Sequence, residues 1–218
     1  MIFKVASAFF FMFQNMIGFG VRRLFGSRDL DSQLEAIYLR WSAKVLKVFQ
    51  IDMEVEGREN LPAESNGKLV VMCNHQSQLD IPTLVAALNR RLGFVAKKEL
   101  SRIPLLSFWM KEVGCVFIDR SDRTGAHRAL EKAAAEIGLH PLVVFPEGTR
   151  SKDGRLLPLK LGGFRLALLS GADVLPVLIQ GTRDAGENHK KGAARIPVRV
   201  RIFPVIDTKS LGDRKSVV

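Results

Sequence analysis

The sequence predicts an α/β fold, a largely parallel sheet flanked by helices and preceded by an N-terminal helical membrane anchor, and three observations carry that expectation. Beyond residue 50, short apolar runs alternate with segments of helical periodicity, the pattern of strands joined by crossover helices. Two of those runs, LVVMC and LVVF, are apolar at every position, as strands buried on both faces of a parallel sheet are. Ahead of residue 50 the chain opens on VASAFFFMFQNMIGFGV, which is rich in phenylalanine and is followed by Arg22 and Arg23.

That opening stretch covers residues 5–21, and as a helix it would span about 26 Å against a hydrocarbon core of roughly 30 Å. Gln14, Asn15, Gly18 and Gly20 interrupt it, and two arginines stand where a secretory signal would carry small residues before its cleavage site. A monotopic or re-entrant anchor fits these features best; a single spanning helix and a buried core helix are its rivals. Asp29 or Asp31 can cap a second helix reaching about Phe49, with Leu34, Ile37, Tyr38, Trp41, Val45 and Val48 on one face and Arg40, Lys44 and Lys47 beside it. An apolar face flanked by cations suits an anionic leaflet, or else it covers the core; the position directly after the anchor favours the leaflet. The chain therefore divides into a membrane-association segment, 1–50, and an α/β domain, 51–218. Within the latter, strands are expected at 68–73, 93–97, 113–118, 142–145, 174–179 and 198–205, and helices at 81–89, 104–111, 122–137 and 161–169.

Composition narrows the function classes. Of 218 residues, 47% are hydrophobic and 25% charged, which is globular and not disordered. Lys plus Arg number 33 against 22 acidic residues, a net charge of +11 that calls for a polyanionic partner: nucleic acid, an anionic membrane surface or a phosphorylated small molecule. The positive excess lies at both ends, +4 in residues 1–50 and +7 in 151–218. There are 14 Phe but one Tyr and two Trp, and five of the Phe fall in the first 13 residues. A nucleic-acid platform would interleave aromatics with its cations, so the membrane is favoured and nucleic acid is not expected. Cys73 and Cys115 each sit inside an apolar run with no ligand spacing, which argues against a zinc site or a disulfide framework and for reduced core residues.

Ligands of open α/β sheets bind beyond the carboxyl ends of the strands. Four apolar runs end in polar residues: Asn74-His75-Gln76-Ser77-Gln78-Leu79-Asp80, Lys97-Lys98-Glu99, Asp119-Arg120, and Pro146-Glu147-Gly148-Thr149-Arg150. His75 and Asp80, five apart across a turn into a helix, could be an imidazole base held by a carboxylate. Alternatively, Asp80 caps the helix and His75 is a satisfied strand-end residue. Ser77 lacks the G-x-S-x-G elbow of a nucleophilic serine, and Cys73 is embedded in Val and Met where a reactive thiol needs exposure and a cation. Glu147 through Arg150 reads either as a turn with its own ion pair or as a carboxylate for a hydroxyl and a guanidinium for a phosphate. Arg120 is a second phosphate ligand or a partner of Asp119 or Asp122.

Together these blocks resemble the glycerolipid acyltransferases, most closely the bacterial 1-acyl-glycerol-3-phosphate type. His75 to Asp80 matches the family's H-x4-D block, with Asn74 and Ser77 as expected. Gly114-Cys-Val-Phe-Ile-Asp119-Arg120 is similar to the second block, Phe145-Pro-Glu-Gly-Thr-Arg150 with Lys160-Leu-Gly162 to the third, and Leu175-Pro176-Val177 to the fourth. Leu159 departs from a common Phe, and the chain ends soon after the fourth block. The resemblance implies acyl transfer from acyl-CoA or acyl carrier protein to the hydroxyl of a lysophospholipid, giving phosphatidic acid if the acceptor is 1-acyl-glycerol-3-phosphate, at the cytoplasmic face of a membrane. Another lyso-lipid acceptor such as lyso-ornithine lipid, a lipase or thioesterase, and a non-enzymatic basic membrane-binding protein are the alternatives. It further implies His75 as base, Asp80 as its partner, Glu147 and Gly148 at the glycerol, Arg150 and Arg120 at the phosphate, and Thr149 among the substrate-binding residues. Lys97, Lys98 or backbone amides near the motif would serve the oxyanion or the acceptor, with no metal and no cofactor.

Overall fold

The structure, a computed structural model, describes residues 2–24, 29–63, 68–119, 122–137, 140–186 and 195–211. Among them, β1 (Ile51–Glu56), β2 (Leu69–Cys73), β3 (Gly93–Lys97), β4 (Val116–Ile118), β5 (Leu142–Val144), β6 (Asp173–Gln180) and β7 (Ile196–Ile202) form one sheet in the order β1-β7-β6-β2-β5-β3-β4. The pairing is parallel from β6 through β2, β5 and β3 to β4, with Val70 opposite both Leu142 and Val174. β7 runs antiparallel to β6 and carries β1 parallel to itself, so these two strands oppose the other five.

Because successive residues of a strand face opposite sides, β2 supplies both halves of the core. Val71 and Cys73, with Val143, pack under α1 (Ile2–Leu24), α2 (Leu30–Val48), α3 (Asp80–Leu88) and α4 (Pro104–Glu112). Val70 and Met72, with Val144, pack under α5 (Arg123–Glu136) and α6 (Gly162–Ser170). Every residue of β2 is buried, as its unbroken apolar run requires. β1 was not expected, because IDMEVE alternates apolar with acidic residues and reads as surface. The antiparallel β7 explains it: Glu54 pairs with Arg199 at 3.3 Å and Glu56 with Arg201 at 3.1 Å on the exposed side of this edge. Such exposed pairs contribute only about 0–1 kcal/mol each but set the register. β4 starts three residues later than expected, since Val113 closes α4 and Gly114 turns the chain at φ 84°.

The N-terminal half departs from the sequence reading in two ways. α1 has 23 residues, taking in Arg22 and Arg23, yet among the described residues no helix is long and apolar enough to cross a membrane. Its inner side joins the core: Phe19 is buried with its ring 5.9 Å from that of Trp109, whose indole N–H donates to the Met12 carbonyl at 3.1 Å. Its outer side leaves Phe10, Phe13, Ile17 and Val21 exposed at steps of three and four. α2 corrects the expectation of an interfacial helix. Leu34, Ile37 and Tyr38 are buried in the same cluster as the sheet, and the helix lies between α1 and α3. The face that looked available to lipid is occupied by protein, while Arg40 and Lys47 point to solvent and Lys44 sits 4.9 Å from the Phe11 ring.

Candidate active site

β2 ends at Cys73, and the next residues turn across the carboxyl edge of the sheet into α3. Asn74 fixes this departure: its side-chain amide donates to the Ile179 carbonyl at 2.9 Å and accepts the Ile179 N–H at 2.8 Å, replacing a strand peptide and tying the turn to β6. His75 is then held from both sides by the segment that follows β5. Its N–H donates to Glu147 Oε1 at 2.7 Å, its carbonyl accepts the Ser151 N–H at 2.8 Å, and its ring stacks on Phe145 with centroids 4.0 Å apart and planes 13° apart.

The imidazole Nδ1 lies 2.7 Å from Asp80 Oδ2. That oxygen also accepts the N–H groups of Gln76 at 2.7 Å and Ser77 at 2.9 Å, while Asp80 Oδ1 accepts the hydroxyl of Thr182. Asp80 is fully buried at the first turn of α3, and four donors with the helix N-terminus compensate the desolvation of its charge. Asp80 does not cap α3; its carboxylate points back over the turn. An acceptor at Nδ1 requires that nitrogen to carry the proton, which leaves the Nε2 lone pair as the base. Phe145 and the turn leave the side chain of His75 17% exposed, enough to meet a substrate and little enough to exclude bulk water.

Thr182 opens the short helix α7 (Thr182–Gly186) and was missed in the sequence. The rule that singled out the other strand ends, applied to the end of β6, reaches Gly181-Thr182. Phe145 carries no polar group to single it out in the sequence, yet its ring forms one wall of the base.

Glu147 lies beneath the His75 turn with its carboxylate turned inward. Both its oxygens accept backbone N–H groups, Oε1 from His75 and Oε2 from Leu157 at 2.9 Å, and the residue is only 2% exposed. Two backbone donors and near-complete burial give this carboxylate a place in holding the His75 turn. Gly148 adopts φ 71°, and a Cβ there would lie 2.9 Å from Lys160 Nζ, so the lysine is folded over the loop where a side chain would be. Thr149 and Arg150 are exposed at the rim. Of the backbone donors near the motif, those of His75, Gln76 and Ser77 are taken by carboxylates and that of Gly148 by the Phe145 carbonyl.

A family model described as Acyltransferase matches residues 52–180, more than half of the chain. The chain belongs to the acyltransferase family. It is 32% identical over 167 residues to the 1-acyl-sn-glycerol-3-phosphate acyltransferase of Escherichia coli, covering 73% of this chain and 65% of that protein. It is 38% identical over 130 residues to a chloroplastic 1-acyl-sn-glycerol-3-phosphate acyltransferase of Brassica napus, covering 59% and 37%. The crystal structure of the 1-acyl-sn-glycerophosphate acyltransferase PlsC from Thermotoga maritima matches with a TM-score of 0.73 at 30% identity, over 96% of this chain and 86% of that one. The chain spans between about a third and two thirds of the length of the curated relatives it matches.

Within this member of the acyltransferase family the covalent alternatives lose their nucleophiles. Burial, reinforced by the Asp80 and Glu147 carboxylates, pushes the Cys73 thiol well above its ordinary range. The Ser77 hydroxyl is buried, accepts the Leu79 N–H at 3.3 Å and faces Gly186. Lys98 Nζ lies 3.3 Å from Asp119 Oδ2 across the ends of β3 and β4. Lys97 and Lys98 leave from β3, which β5 separates from the His75 strand, so their backbones stand about two strand spacings, roughly 10 Å, from it. Arg120 lies outside the described residues. Among the described residues no group of three or more His, Cys, Asp or Glu is placed to hold a metal ion.

Proposed function

We propose that this acyltransferase moves a fatty acyl group from acyl-CoA or acyl carrier protein to the free hydroxyl of 1-acyl-glycerol-3-phosphate, giving phosphatidic acid. The observation that carries the reading is the His75–Asp80 pair, an imidazole fixed at Nδ1 by a buried carboxylate, with no serine or cysteine among the described residues placed to be acylated. Nε2 takes the proton as the acceptor oxygen attacks the thioester carbonyl carbon, Asp80 stabilises the imidazolium, and the collapsing tetrahedral adduct expels the thiolate, which takes that proton. A thiolate leaves without metal assistance, and the scheme uses no cofactor.

The distance of Lys97 and Lys98 from the His75 strand suits the acceptor's phosphate better than the reacting carbonyl. Arg150 at the rim belongs to the same anion site, and Arg120, next to Asp119 in the sequence, is its proposed second cation. Gly148 and Thr149 meet the glycerol beside it, and Glu147 positions His75 from beneath. Residues 1–50 serve the membrane: the exposed stripe of Phe10, Phe13, Ile17 and Val21 lies in the cytoplasmic leaflet of the inner or plasma membrane as a monotopic contact, while α2 braces it on the 51–218 domain. The lyso-lipid then reaches His75 with its acyl chain still in the bilayer.

The test offers the purified protein a panel of lyso-acceptors, including a lyso-ornithine lipid, with acyl-CoA or acyl carrier protein, and identifies products by mass. Phosphatidic acid is expected, and none from His75→Ala of unchanged circular dichroism. Free fatty acid as the main product, or an acylated protein, would replace this reaction with hydrolysis or a covalent route.

A further inference from the structure

The segment that follows the catalytic loop leaves Leu156, Leu159, Leu161, Phe164, Leu168 and Leu169 exposed, Leu156 by 65% and Leu168 by 59%. α6 buries Leu166 and Ala167 against the sheet and turns apolar side chains outward as well. Large apolar side chains left exposed at this density along one segment of a folded chain mark a partner or a lipid surface. Within residues 150–169 there are five cations, Arg150, Lys152, Arg155, Lys160 and Arg165, against the single carboxylate of Asp153. Leucine interleaved with long basic stems is the composition of an interfacial contact, in which the stems reach headgroups while the apolar groups enter the acyl boundary.

The place of this surface in the fold is compatible with the same occupant. Residues 155–161 lie at the carboxyl end of β5. β1 runs against β2, so α2, which feeds β1, ends at that same edge; Lys44, one turn from the end of α2, lies over Phe11 and brings the exposed stripe of α1 towards it. α1 and α6 cover opposite faces of the sheet, so a lipid surface reaches both apolar regions only along the edge they share.

We propose that the surface built from Leu156, Leu159, Leu161, Phe164 and Leu168, with Arg155 and Arg165, is a second membrane contact that seats the catalytic loop on an anionic leaflet. The contact is joined directly to the site: the Leu157 N–H donates to Glu147 Oε2, whose other oxygen holds His75, and the Lys160 N–H donates to the Pro146 carbonyl at 2.8 Å. Its role in delivering acceptor rests on the reaction proposed above; the docking itself does not.

Three measurements on the full chain test this. An environment-sensitive fluorophore on Leu159→Cys should shift to the blue with phosphatidylglycerol/phosphatidylcholine vesicles, and less with phosphatidylcholine alone; emission unchanged by either vesicle overturns the proposal. The triple variant Leu156→Gln/Leu159→Gln/Phe164→Gln should keep its melting temperature and bind the anionic vesicles at least about tenfold more weakly. It should lose turnover on bilayer-embedded acceptor but not on a short-chain, water-soluble one. Arg155→Glu/Arg165→Glu should weaken binding to anionic vesicles only. Vesicle binding equal to wild type in both variants, with turnover lost only for the acyl-carrier-protein donor, would make this a carrier-protein dock and overturn the membrane assignment. Lipid-dependent emission in a protein that transfers no acyl group would leave the contact standing and defeat the reaction instead.

Discussion

Glu147→Gln separates a residue that builds the site from one that binds substrate. The carboxylate accepts the N–H groups of His75 at 2.7 Å and Leu157 at 2.9 Å in a pocket where the residue is 2% exposed. Glutamine keeps the shape but offers one carbonyl, so its NH2 must face one of those N–H groups, donor against donor. Removing one charge-assisted hydrogen bond costs about 1.5–3 kcal/mol, and a stranded buried N–H adds a further cost of similar size, so after local relaxation a loss of about 2–4 kcal/mol is expected. For a chain of this size that lowers Tm by roughly 5–15 °C. Movement of the His75 backbone by about an ångström should cost on the order of 10²-fold in kcat, with KM for both substrates little changed. The assay pairs thermal denaturation with initial rates at varied acceptor and donor. An unchanged Tm and kcat with a KM raised for the acceptor alone would refute the positioning role and restore a direct contact with the glycerol.

Asp80→Asn should lower kcat by about 10³–10⁴, because an amide no longer fixes the Nδ1–H tautomer, whereas Cys73→Ala keeps near-normal rates; steady-state kinetics decide both. Thr182→Val removes a donor from a buried carboxylate and should cost about 1–3 kcal/mol in denaturant unfolding together with a several-fold lower kcat, since Asp80 loses one of its fixed points. Burial, partly offset by a hydrogen bond at Phe94, pushes the Cys115 thiol up to about 12, and Cys73 is raised as well. Unfolded thiols ionise near their ordinary value while the folded ones keep their protons, so this contribution to stability is present below about pH 9 and is lost as pH rises towards 12. Alkylation at pH 8 should label neither cysteine in the native protein and both after denaturation.

The alternation of apolar runs and helical segments determined most of the fold, and LVVMC and LVVF became the buried strands they suggested, because a strand apolar at every position has only the middle of a covered sheet to occupy. The spacing of His75 and Asp80 likewise placed an imidazole and a carboxylate across one turn, a local relation that five residues can specify. Tertiary structure decided what those groups meet. Thr182 reaches Asp80 from 102 positions away because β6 lies beside β2. Glu147 turns inward because β5 sets its loop beneath His75, where two backbone N–H groups hold it. α2 looked like an interfacial helix because an apolar face carries no label of what will cover it; α1 and the sheet covered it, and the open apolar surface appeared instead at Leu156 to Leu168. Side-chain pattern fixes which face of an element must leave water, and only the packing of all the elements decides which of those faces remain for a substrate or a membrane.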